Sequence, residues 1–205
     1  PRLLPAFEAR LTFDLDAGLL SAPQIVAQVG ETRLSVPVQA ILSPSGRVTF
    51  ESLEPMSFSD PSLNRWLTGT PAGQVLGLPS DPELFGVTRL QTSFSGSLAA
   101  DGVLSLRAQN TAAAVGAQGL RFSSLRLTAG DGIFAGASID GLEVSIPSLR
   151  RVLQTFDAVP EGLEPGVLGP LTLAGNARVS DVEASVSNAV VTLDDQRAQG
   201  SASII

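Results

Sequence analysis

The chain contains no histidine, no cysteine, no tyrosine and no lysine, and it has a single tryptophan. Without His or Cys it lacks the commonest metal ligands and the usual catalytic base and thiol nucleophile. Serines are plentiful, yet nothing of the usual kind is present to activate one. One Trp and no Tyr leave no aromatic platform for sugar rings, which disfavours a carbohydrate-binding sandwich. Aromatics total only 5%, so apolar surface must be built from Leu, Val, Ile and Ala. Such surfaces suit packing or acyl chains better than base stacking. All thirteen basic residues are Arg, placed singly along the chain apart from Arg150-Arg151, and the net charge is −7. Clustered cations that would neutralise a phosphate backbone are missing from the sequence, and nucleic acid is not an expected partner. The absence of Lys reads as coding bias.

Long apolar runs are missing too. The uncharged stretch Ala17 to Gly30 is broken by Pro23 and two glutamines, and no uncharged stretch is long enough to span a bilayer, so no transmembrane helix is expected. No signal peptide opens the chain. A cysteine-free chain fits an oxidising and a reducing compartment equally. With Pro1 at one end and Ile205 in mid-strand at the other, the sequence reads as a fragment of a longer protein.

What the chain has in quantity is alternation. Leu171, Leu173, Ala177 and Val179 alternate with polar residues, and so do Val182, Ala184 and Val186, then Ala189, Val191 and Leu193 up to Asp194-Asp195. Ala198, Gly200, Ala202 and Ile204 follow. A period of two places one set of side chains on each face of a sheet, apolar on one and polar on the other. The same pattern runs from Phe7 to Leu15, around Ile25 to Val29, from Leu34 to Ala40 and again from Val48. Pro37 favours an edge or a bulge in its strand. Thr88 to Leu98 and Leu104 to Ala108 are further strands, followed by a flexible Ala/Gly stretch to Gly119. Leu120 and Phe122 lie in one phase and Leu125 and Leu127 in the other, which predicts a bulge at Ser123-Ser124. Ile133 to Ile139 completes the set with a short strand.

Two short helices are expected. Asp60-Pro61 opens one with Leu63, Trp66 and Leu67 inward. Pro147-Ser148 opens the other, near 147–157, with Leu149, Val152, Leu153 and Phe156 at i, i+3, i+4 and i+7. Helix, Gly/Pro loop and long strand recur at an offset of roughly 86 residues, a weak internal repeat. The chain divides at the Gly/Pro-rich segment after Gly69, into an N-terminal meander of residues 1–69 ending in a helix and a β-groove unit of residues 70–205, within one continuous β architecture. The fold class is mainly β: an antiparallel meander curled into an open groove or a sandwich-like sheet, with two short helices.

Carboxylates offer little chemistry. Asp14 and Asp16 sit on the polar side of an alternating strand, and Asp194-Asp195 read as a turn. Asp131 and Asp140 stand beside glycines without the spacing of a calcium loop. No catalytic residue, metal site or cofactor is expected. The apolar face is the open question, since so little helix is available to cover it. Either the sheet folds on itself as a dry structural or adhesive sandwich, or it curls into a gutter that a ligand fills.

A resemblance bears on that choice. Ser148-Leu149-Arg150-Arg151-Val152-Leu153, then Gly169-Pro170-Leu171-Thr172-Leu173-Ala174-Gly175, then Val190 to Asp195 and Arg197 to Ser203 follow in an order that resembles the tail unit of the AsmA-like family of bacterial envelope proteins. The resemblance covers about half of the chain, with Phe85 to Gly141 similar in style. It implies a non-enzymatic, periplasm-facing protein. The parent would be tethered to the inner membrane by an N-terminal helix that this sequence lacks. Such a protein holds lipid acyl chains on the apolar side of a folded sheet, for transport and assembly toward the outer membrane, with inner- and outer-membrane partners. On that reading Leu171, Leu173, Val191, Leu193 and Ile204 form the groove floor. Leu149, Val152, Leu153 and Phe156 form a cap or core helix, and Phe94 and Phe122 plug the trough or pack in its core.

Overall fold

A computed structural model describes residues 6–14, 17–61, 86–130, 133–164 and 166–204, with backbone alone at 6–14 and 133. Thirteen strands form one antiparallel sheet. They are β1 (Ala6–Asp14), β2 (Leu19–Val29), β3 (Thr32–Ser35), β4 (Val38–Leu42), β5 (Val48–Ser52), β6 (Met56–Asp60) and β7 (Thr88–Leu98). After these come β8 (Leu104–Val115), β9 (Gln118–Gly130), β10 (Ile133–Ile146), β11 (Leu171–Ser180), β12 (Ala184–Leu193) and β13 (Gln196–Ile204). A helix, α1 (Leu149–Thr155), lies between β10 and β11.

The order is a plain meander once two broken strands are recognised. β3 and β4 both pair with β2, and β5 and β6 both pair with β7. Each couple therefore occupies one position of the sheet, interrupted at Val36-Pro37 and at Leu53-Glu54-Pro55. Proline cannot donate to a ladder, so a strand that contains one breaks or bulges there. The two breaks lie side by side, with Leu53 N donating to Pro37 O at 3.1 Å.

That interruption continues across the whole sheet as a seam of irregular residues. Register shifts fall between Arg10 and Thr12, Gln91 and Ser93, Ile139 and Leu142, Ala174 and Asn176, and Val186 and Ala189. Asn110 (φ 50°), Gly141 (φ 63°) and Asn188 (φ 52°) sit on it in the left-handed region, which Gly and Asn enter most readily. Short polar side chains take up the backbone donors that the seam releases. Phe94 N donates to Ser52 Oγ at 3.0 Å, Gly141 N to Asn176 Oδ1 at 2.9 Å, and Asn188 N to Ser201 Oγ at 3.3 Å. The phase change at Ser123-Ser124 is part of the seam. It leaves no shift between β8 and β9, because Asn110 adds a matching residue opposite Ser123.

Thr92 and Thr111 meet at the seam with their hydroxyls 2.6 Å apart, at 7% and 5% exposure. Thr111→Val is expected to cost about 1 kcal/mol, because it leaves a buried hydroxyl short of a partner. Thr92→Val with Thr111→Val should cost less than the two single changes together. Urea melts of the three variants measure this, and strict additivity would count against the pair.

Several expectations change. β2 begins at Leu19 and carries Pro23 within it, β6 was not foreseen, and β10 runs on to Ile146. The segment expected to be flexible before Gly119 is instead the second half of β8 and a tight turn at Gly116-Ala117. Its alanines are strand residues because both neighbours, β7 and β9, hydrogen-bond to it. One helix is found among the described residues, and the other, expected from Asp60 to Leu67, falls on residues outside them after Pro61. α1 matches its expectation, with Ser148 as N-cap accepting from Arg151 N at 3.3 Å. β6 pairs with β7, so the sheet is continuous from the first part of the chain to the second.

Candidate functional site

Directly opposed residues in a ladder share a face. Following one row from strand to strand therefore writes out the lining of that face. On one side of the seam a row runs Ala27, Leu34, Phe58, Leu90 and Ala113, then Leu120, Val144, Leu173, Val191 and Ala198. On the other side a second row runs Leu20, Ala40, Phe50, Gly96 and Leu106, then Leu127, Ala137, Val179, Ala184 and Ile204. Neither row contains a polar residue. β7 joins them, since Leu90, Thr92, Phe94 and Gly96 alternate without interruption. In β8, β9, β10 and β12 the extra seam residue restores the phase, so one apolar face spans the sheet.

This face is the better covered of the two, but no layer formed by the described residues seals it. Its residues are half-buried while their polar neighbours are exposed, as in β5 and β6. Pro37 aside, Ala22 at 2% is the only buried hydrophobic residue among those described. In a dry sandwich the facing leucines and valines would be buried against each other at crystal-like density. They are not. Ala22, Thr92 and Thr111, hidden beside the seam, lie on the apolar face, while Ser124, at 7% exposure, is hidden on the polar face. Bulges bend strands at such positions.

Four of the five expected floor residues come together. Leu171 opposes Leu193 and Leu173 opposes Val191, a two-by-two block on the apolar face. Ile204 shares the face but lies beyond the seam on the outermost strand, opposite Ala184 and 76% exposed. Phe94 and Phe122 lie on the apolar face as well. Phe94 stands 6.4 Å from Phe50 between ring centroids, and Phe122 opposes Thr111. Leu34, Phe58, Leu90 and Val144, not among the expected residues, belong to the same row, which only the strand pairing makes visible.

The helix residues stand apart from the floor. None of α1 is buried, and Phe156 is 47% exposed. Leu149 N and Arg150 N donate to Gly169 O and Leu168 O at 2.8 and 2.7 Å, so α1 is tied to the strand connection. Arg150 Nη1 donates to Glu164 O at 2.5 Å on the same loop. Asp194 closes the adjoining turn, its Oδ1 accepting from Gly169 N at 2.9 Å. Asp16 and Asp131 lie outside the described residues, and no cluster suited to a metal ion occurs among those described.

The polar face has relief of its own. A hollow of about 920 Å³ is lined on one side of the seam by the polar rows of β6 to β11, with Arg89, Gln91, Arg121 and Glu143 among them. A second, of about 560 Å³, is lined across the seam by Gln39, Glu51, Arg107, Arg126 and a row of hydroxyl residues. Leu173 and Leu90 border the larger hollow only as the middle row, their side chains belonging to the other face. Both hollows lie on the polar face of the layer, and twist makes such a sheet saddle-shaped. No helix among the described residues is long and apolar enough to cross a membrane.

No family model, curated protein or solved structure matches this chain.

Proposed function

We propose that the chain is a non-enzymatic, periplasmic lipid-holding element, whose apolar sheet face carries acyl chains between membranes as part of an inner-membrane-anchored parent. The observation that carries this reading is the pair of all-apolar rows, which cross the sheet from β2 to β13 and have no layer of the described residues sealed over them. At about 4.8 Å per strand step, nine steps give a path of about 43 Å. Each methylene laid on it contributes roughly 0.8 kcal/mol. A floor of Leu, Val and Ala with few aromatic anchors is indifferent to chain type, which suits a conduit. The resemblance of Ser148 to Ser203 to the AsmA-like family supports the same assignment.

The test is a photocrosslinking residue at Leu173 in the full-length protein expressed in bacterial membranes. Lipid adducts are expected at Leu173 and absent from the same probe at Thr172, one residue away on the polar face. Crosslinks at Leu173 confined to the protein itself would leave only a scaffold role for this segment.

A further inference from the structure

The arginines that the sequence scatters singly are gathered by the topology. Arg107 of β8 stands directly opposite Arg126 of β9 on the polar face. Arg126 in turn opposes Ser138, and Ser138 opposes Arg178 of β11. Like charges directly across a ladder are unfavourable, yet neither side chain of the Arg107–Arg126 pair has an ion pair or hydrogen bond among the described residues. Acids are near but do not join them. Glu51, in the same hollow, accepts from Gln39 Nε2 at 2.5 Å, and Asp140 opposes Ser124 at the seam.

We infer that the polar face carries an oxyanion site for a phosphate group, centred on Arg107 and Arg126. Both line the 560 Å³ hollow together with Ser97, Ser105 and Thr128, which form the adjacent row. Two guanidinium forks and three hydroxyls supply more donors than a carboxylate has oxygens to receive, whereas a tetrahedral dianion uses them and balances the paired charge. The site lies on the face opposite the apolar rows, so it stands whatever those rows carry.

The experiment compares thermal melts of the chain titrated with inorganic phosphate against chloride at matched ionic strength, with sedimentation on phosphatidate and phosphatidylcholine vesicles as a second arm. A saturable rise in Tm with phosphate is expected, and Arg126→Gln should weaken the response about tenfold or more. In phosphate-free, low-salt buffer Arg126→Gln and Arg107→Gln should each melt above the parent, because the unpaired repulsion is gone. A site kept merely for structure would show the reverse. Response to soluble phosphate without vesicle binding assigns free phosphate esters, and binding to phosphatidate vesicles alone assigns lipid headgroups. If neither arm distinguishes phosphate from chloride or phosphatidylcholine, or if Arg126→Gln responds as the parent does, the site does not exist.

Discussion

Gly96→Val is expected to destabilise the sheet by about 3 kcal/mol, at the upper end of what overpacking costs. Gly96 opposes Phe50 on one side and Leu106 on the other, in the row that crosses the sheet beyond the seam. A Cβ placed there would stand 2.5 Å from Phe50 Cζ and 2.6 Å from Ser105 O. The ring can turn away, at the cost of uncovering the apolar surface it lies across. The carbonyl cannot move, because it belongs to the neighbouring strand of the ladder. Relief therefore requires β7 and β8 to separate locally, which removes hydrogen bonds as well as packing. For a chain of this size about 3 kcal/mol corresponds to a fall in Tm of about 6–12 °C. Gly200 provides the control. It lies on the same apolar face in β13, and a Cβ there meets nothing within 4 Å, so Gly200→Val should be neutral or stabilising, as β-branched residues suit strands. Equal melting of the two variants would mean that Phe50 does not lie over Gly96 as described.

The regular parts of this fold were legible because a period of two survives in a sheet with one polar face. The apolar phases of Leu171 to Val179, of Leu34 to Ala40 and of Thr88 to Leu98 could be read directly, and Pro37 announced its break. Of the seam, Pro37 and the phase change at Ser123-Ser124 were legible and the rest was not. Asn110 and Asn188 enter the left-handed region, but nothing in their local sequence separates them from ordinary polar strand residues; only the pairing of each strand with its neighbour makes the extra residue visible. The same blindness truncated β8 and β10. Beyond Asn110 and beyond Gly141 the alternation changes phase, so each strand looked finished where it had merely crossed the seam. β6 is only five residues long, and Met56-Ser57-Phe58 is too brief a pattern to stand out. For the site, the block of Leu171, Leu173, Val191 and Leu193 was legible as two adjacent alternating strands. The Arg107–Arg126 pair was not, because its members are 19 positions apart and only the β8–β9 register puts them face to face.

Replacing both Leu90 and Leu173 by Asp should remove most of the lipid that co-purifies with the full-length protein. The two leucines occupy one row, on β7 and β11, four strand steps or about 19 Å apart. That is close to the length of a single acyl chain, so no chain could lie along this part of the row without meeting one carboxylate. A charge against an apolar lining costs about 3 kcal/mol. At roughly 0.8 kcal/mol per methylene this cancels three or four methylenes of contact at each site. Occupancy should fall by about a hundredfold where a chain meets one such site. The decisive comparison is Gln91→Asp with Thr172→Asp, which places two carboxylates one residue away on the exposed polar face. Backbone position and charge added are nearly the same, and only the face differs. Lipid measured by mass spectrometry should be retained in the polar-face pair and lost in the apolar-face pair, with far-ultraviolet dichroism checking that both still fold. If both pairs lose lipid equally, general surface charge rather than the apolar rows governs its capture, and if neither does, lipid does not travel on this face.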